Sequence, residues 1–143
     1  MIKVQHSIVV NRPVSEVFAF VCDPSKRPEW QDGLVRAHIS AGGALTVGAE
    51  IIGTRKFMGR EINARLQITE FEQDKLLVTK SIDGPIALEI RQTFEAIEDG
   101  TKAAIEIQAE PGGFFKLAEG MVQNQMQSQL VADSDRLKKL MEN

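Results

Sequence analysis

The sequence has no tyrosine, one cysteine and one tryptophan, and aromatic residues make up only 6% of it. With a single cysteine there is no internal disulfide, so the core must hold the fold, and a reducing compartment fits. The only histidines are His6 and His38, with no HExxH, no paired cysteines and no local acid cluster. A metal site therefore has no ligand set, and no metal or cofactor is expected. No serine lies in a nucleophile elbow. "GGALTVG" (42–48) leads into a strand and lacks a GK[ST], so it is not a phosphate loop. No apolar run approaches the ~20 residues of a membrane-spanning helix. "MIKVQHSIVVNRP" lacks the parts of a signal peptide. The expectation is a cytoplasmic protein with no integral membrane segment. The net charge is only −3, and the basic residues are scattered rather than gathered into a stripe. This argues against a nucleic-acid partner.

What remains is an ordinary globular mixture, 43% apolar and 26% charged over 143 residues. It reads as one domain, 1–143, large enough to bury a real core. "KVQHSIVV" alternates with period two and predicts a strand. "RPVSEVFAFVCDP" changes period: Val14, Val17, Phe18 and Val21 share one helical face, with Pro13 at the start and Asp23-Pro24 as the stop. "SKRPEWQDG" is a short turn-like or single-turn helical link.

A β-rich region follows. "LVRAHIS", "AEIIGTRKFM", "REINARLQITEF", "KLLVTKSI", "IALEIRQTFEAI" and "KAAIEIQAE" read as strands. Met58-Gly59, Asp83-Gly84-Pro85 and "EDGT" are the turns between some of them. Ile62, Ala64, Leu66 and Ile68 alternate with Glu61, Asn63, Arg65 and Gln67, so one face is buried and the other wet. "PGG" breaks the sheet, and a helix of roughly 28 residues, about 42 Å long, runs from about Phe114 to the end. Strands in a run with one long helix beside them define an α+β domain. A twisted six- to seven-stranded sheet curves, and a curved sheet around one long helix can leave a cavity between them.

Four stretches resemble the START-like (SRPBCC) superfamily with its helix-grip fold, and within it the polyketide cyclase/dehydrase and lipid-transport group. They are "SIVVNRPVSEVFAFVCDPSKRPEW", "TVGAEI", "GREINARLQITEFEQDKLL" and "DSDRLKKLMEN". The resemblance covers nearly the whole chain. It implies a curved antiparallel six- to seven-stranded sheet wrapped around a long C-terminal helix, with one or two short helices after the first strand. It also implies a ligand cavity between sheet and helix, with Trp30 near its mouth. The four stretches mark a fold; none is a catalytic motif.

Placing the last helix at about 100° per residue aligns Phe115, Val122, Met126, Leu130, Leu137, Leu140 and Met141 on one stripe. Gln125 and Gln129 lie on its flank, and Phe114, Leu117 and Met121 form a second apolar edge. Composition alone reads the stripe as core, since methionine fills irregular gaps. The resemblance reads its N-terminal half as pocket lining, with amides as polar anchors. Asp133 falls on the same stripe and must either project into water or pair with a basic residue.

On the sheet, the polar residues set on apolar faces are Gln92 between Ile90 and Phe94, Lys80 beside Val78 and Ile82, and His6 between Val4 and Ile8. Arg55 lies between Gly53 and Phe57. The other face of that strand is nearly as apolar, so its direction is open. Each has a bland alternative as a satisfied structural group or a stem that snorkels to water. Cys22 reads as a small core hydrophobe.

The expected ligand-binding set is Trp30, Arg55, Phe57, Leu66, Ile90, Gln92, Phe115, Val122, Gln125, Met126 and Gln129. Binding of a small hydrophobic or amphipathic ligand is the preferred reading. A polyketide cyclase/dehydratase-like enzyme in the same cavity is the alternative, with His6, Arg55, Lys80, Glu89 and Asp133 as the available acid–base groups. A protein-interaction module is weaker, since the strands show no broad apolar patch. The oligomeric state is open, a dimer included.

Overall fold

The computed structural model describes residues 1–57, 59–83 and 86–143, the side chains of residues 41, 57 and 114 excepted. The expected turns at Met58 and Gly84-Pro85 lie outside the described residues. Seven strands form one antiparallel sheet: β1 Ile2–Val10, β2 Leu34–Ile39, β3 Glu50–Phe57, β4 Arg60–Glu72, β5 Leu76–Asp83, β6 Ile86–Ile97 and β7 Gly100–Pro111. Their order is β1-β7-β6-β5-β4-β3-β2. Helix α1, Val14–Val21, and a 3₁₀ turn, Pro24–Glu29, cross from β1 to the far edge at β2. The expected α+β helix-grip arrangement is the one found.

Local chemistry explains the link that crosses the sheet. Val17, Phe18 and Val21 bury the apolar stripe of α1, and the Cys22 N–H caps its end on the Phe18 carbonyl. Asp23 then accepts from the Ser25 N–H at 3.0 Å, and Pro24 opens the 3₁₀ turn. Gly33 closes the link at φ +84°, where a β-carbon would meet the Lys56 carbonyl oxygen at 2.7 Å. Only glycine takes that conformation and that approach together without strain.

The sheet curls, and β4 departs from regular register between Arg65 and Leu66 and again between Ile68 and Glu70. Such irregularities bend a strand and sharpen its twist. The β6–β7 hairpin turns at Gly100, whose φ is +149° and whose missing β-carbon would sit 2.2 Å from the Val10 carbonyl oxygen.

The expected single C-terminal helix is two. A short α2, Phe114–Leu117, is separated at Ala118 from α3, Glu119–Glu142, which has 24 residues. Gly120 stands beside the break, and glycine lowers helix stability by about 1 kcal/mol relative to alanine. Leu117 and Met121, on the second apolar edge of the sequence reading, are 91% and 65% exposed.

Two solid clusters form the core. One gathers Phe18, Trp30, Ile68, Leu77, Phe94 and Leu137 beneath α1. In it the Phe18 ring meets Phe94 and Phe71 edge-to-face, with centroids 5.1 and 5.8 Å apart. The other joins Ile2, Val4 and Ala109 to Phe115, Val122 and Leu130. Hydrogen bonds also hold α3 to the β1 side. Gln127 donates to the Gln5 carbonyl, Lys138 to the Val9 carbonyl, and Glu142 accepts from the Asn11 N–H. No described helix is long and apolar enough to cross a membrane.

Candidate ligand cavity

Between the two clusters the sheet and α3 stand apart around a cavity of about 220 Å³. That exceeds the roughly 150 Å³ of a cavity that takes up benzene. Its apolar wall follows from strand periodicity. Ile62, Ala64 and Leu66 face inward from β4, Ile86, Leu88 and Ile90 from β6, and Ile105 and Ile107 from β7. Met126 and Leu130 close it from α3.

The polar groups gather from the 3₁₀ link, β3 and α3: Arg27, Trp30 and Gln31, then Arg55, then Gln129 and Asp133, with Gln92 on β6. Ile51, Gly53 and Arg55 share the inward face of β3, which settles the direction of Arg55. Its Nη2 donates to Gln31 Oε1. Removal from water pushes the Arg55 guanidinium below its ordinary range, and the Asp133 charge pulls it back up.

Asp133 is 5% exposed and paired, not projecting into water. Its Oδ1 accepts from the Asp32 N–H at 3.0 Å, Gln129 Nε2 at 2.8 Å and Arg136 Nη1 at 3.2 Å. Arg136 Nη1 also donates to the Trp30 carbonyl at 2.9 Å. This carboxylate thus fastens the link carrying Arg27 and Trp30 to α3.

Seven residues of the expected set stand in this wall: Trp30, Arg55, Leu66, Ile90, Gln92, Met126 and Gln129. Trp30 is 1% exposed, so it is an interior wall residue and not a rim residue at the mouth. Phe115 and Val122 are in the second solid cluster instead, because that end of the helix packs directly on β1 and β7. Gln125 is exposed. At about 100° per residue it falls on the far side of Val122 from Met126. The Phe57 side chain lies outside the described residues.

Lys80 and His38 are exposed, and His6 is part-buried outside the cavity wall. Cys22 is a buried free thiol that burial pushes up to about 12. Among the described residues no histidine, cysteine and carboxylate group gathers in a metal-holding cluster.

Sequence reasoning missed Arg27 and Gln31. In "SKRPEWQDG" they look like the solvated residues of a surface link. Arg27 is 7% exposed, and burial pushes its guanidinium below the ordinary range. The nearby Cys22 and Asp23 oppose that shift and Arg55 adds to it. The available signal was the three-residue spacing to Trp30, which lets one tight turn direct both side chains inward.

A family model described as polyketide cyclase / dehydrase and lipid transport matches residues 1–142. No curated protein matches the chain in sequence. Among solved structures, a Thermus thermophilus protein aligns with a TM-score of 0.82 at 16% identity, over 96% of this chain and 94% of its own. A START superfamily protein from Mycobacterium smegmatis aligns at 0.83 and 15% identity, over 98% and 97%. A major latex-like protein from Panax ginseng aligns at 0.76 and 10%, over 99% and 97%. At these identities the likeness is one of fold.

Proposed function

The chain belongs to the family described as polyketide cyclase / dehydrase and lipid transport, and we propose that it binds, and in that way carries, a small hydrophobic or amphipathic molecule in the cavity between sheet and α3. One observation carries the reading: an apolar hollow of about 220 Å³, bracketed by two packed cores and lined with a few polar groups at one end. A guest that buries about 200 Å² of apolar surface gains about 5 kcal/mol at ~25 cal/mol per Å², before ordering costs. No reacting group is needed for that.

A cyclase or dehydratase needs a group that takes or gives a proton near working pH. Among the described lining residues the titratable groups are Arg27, Arg55 and Asp133. Arginine stays protonated in ordinary use. Asp133 already accepts three hydrogen bonds on one oxygen. The lining therefore favours holding a molecule over converting it.

Native mass spectrometry of the freshly purified protein tests this. A co-purifying small molecule recovered unchanged after incubation is the expected result. Ala64→Phe, which intrudes on the wall, is expected to abolish its retention while the protein stays folded. Chemical conversion of the bound molecule would favour the enzyme reading, and retention undiminished in Ala64→Phe would place binding elsewhere.

A further inference from the structure

Two residues at the polar end of the cavity carry donors that no described residue satisfies. Arg27 Nε and Nη2 and Trp30 Nε1 are buried with no hydrogen-bond partner among the described residues. Both side chains leave the same short segment, and both stand in the cavity wall. The large majority of buried side-chain polar atoms have a partner. Three orphaned N–H groups on two wall residues three positions apart are therefore an exception.

The charges there are equally one-sided. Arg27 is buried and Arg55 is partly buried in the wall, while Arg136 stands half-exposed behind Asp133. Among the described residues, Asp133 is the one carboxylate in the lining, and Arg136, Gln129 and the Asp32 backbone already engage it. Neither Arg27 nor Arg55 forms an ion pair among the described residues. In the wall itself two guanidiniums face one carboxylate, and Asp23, outside the lining, also acts on Arg27, so the lining on its own carries an excess positive charge.

Guanidinium and indole N–H groups only donate. Their complement is an acceptor-only head, and a planar carboxylate matches the fork of arginine. Away from this end the wall is apolar, through Ile62, Ile86, Leu88 and Ile107. Resting on the reading of the cavity as a ligand site, we propose that its ligand is an amphipathic monocarboxylate. The carboxylate head sits on Arg27 and the Trp30 indole N–H, and the apolar body lies along β4, β6 and β7.

The test compares matched probes on the full chain at pH 8: octanoate against octanol, and naphthoate against naphthylmethanol. Displacement of the uncharged fluorophore N-phenyl-naphthylamine reports binding. In at least one pair the acid is expected to bind about tenfold or more tighter than its alcohol, the span of a charge-assisted hydrogen bond. Arg27→Met should erase that preference by weakening the acid far more than the alcohol. Trp30→Phe should reduce the preference in part. If circular dichroism finds Arg27→Met unfolded, Arg27→Gln makes the same comparison. Equal binding of acid and alcohol, or a preference that survives Arg27 replacement, overturns the carboxylate assignment and leaves the cavity reading standing. Failure of the fluorophore and all four probes to bind overturns both.

Discussion

Replacing Asp133 with alanine removes the acceptor on which three donors converge at 2.8–3.2 Å. The effect can be built up donor by donor. Arg136 is 43% exposed and keeps its bond to the Trp30 carbonyl, so its share is well under about 1 kcal/mol. The Asp32 N–H and the Gln129 amide each lose a charge-assisted bond worth about 1 kcal/mol or somewhat more. Arg55 loses the one wall carboxylate that offsets its desolvation, about 1 kcal/mol again. The total is about 3 kcal/mol, reduced by a few tenths because alanine is the better helix former. At ~2.1 cal/mol/K per residue, 143 residues give an unfolding entropy of about 0.3 kcal/mol/K, so Tm should fall by about 10 °C. Urea denaturation followed by Trp30 fluorescence reads this directly, since Trp30 is the sole tryptophan and adjoins the site. Asp133→Asn keeps an acceptor oxygen and should lose about half as much. An alanine variant within about 0.5 kcal/mol of the parent would refute the claim that Asp133 fastens the link to the helix. So would an asparagine variant as damaged as alanine, because the loss would then not come from the acceptor.

Arg27→Met should raise the stability of the ligand-free protein by about 1–2 kcal/mol, because it removes a desolvated charge with orphaned donors; a lower urea midpoint at unchanged m contradicts this. Native Cys22 should resist iodoacetamide at pH 8 and react once urea unfolds the chain, since burial pushes its thiol up to about 12. The folded thiol holds its proton from its ordinary value of 9.0 up to about 12, whereas the unfolded one loses it. Stability must therefore fall as pH rises through that window, and Cys22→Ala should show a shallower alkaline slope. Gly100→Ala should cost more than about 2 kcal/mol in thermal unfolding, as φ +149° and a backbone oxygen 2.2 Å from the new carbon both oppose it; a neutral result would mean the hairpin shifts freely.

The strands and the inward faces were legible because alternation with period two is a direct trace of a half-buried sheet. Ile62, Ala64 and Leu66 reach the cavity on that pattern, and Ile90 and Gln92 follow on β6. Periodicity says which way a side chain points but not what stands opposite it. Phe115 and Val122 share the stripe of Met126, yet the first two are buried within the second cluster, whereas Met126 packs on its edge and also lines the cavity. The break at Ala118 was hidden because the residues on both sides are compatible with helix. Arg27 was hidden for the opposite reason, as a charged residue in a proline-flanked link reads as solvated until the 3₁₀ turn shows it buried.

The clusters on either side of the hollow interlock through their own side chains, so the chamber is held open by packing that the chain makes by itself. On the proposed reading, a site that already stands open loses no affinity to a rare open population. Discrimination among visitors then falls to bulk and to the match at the arginine end. If the cavity takes a ligand as proposed, unrelated molecules of similar girth would share one lodging and differ mainly in how long they stay.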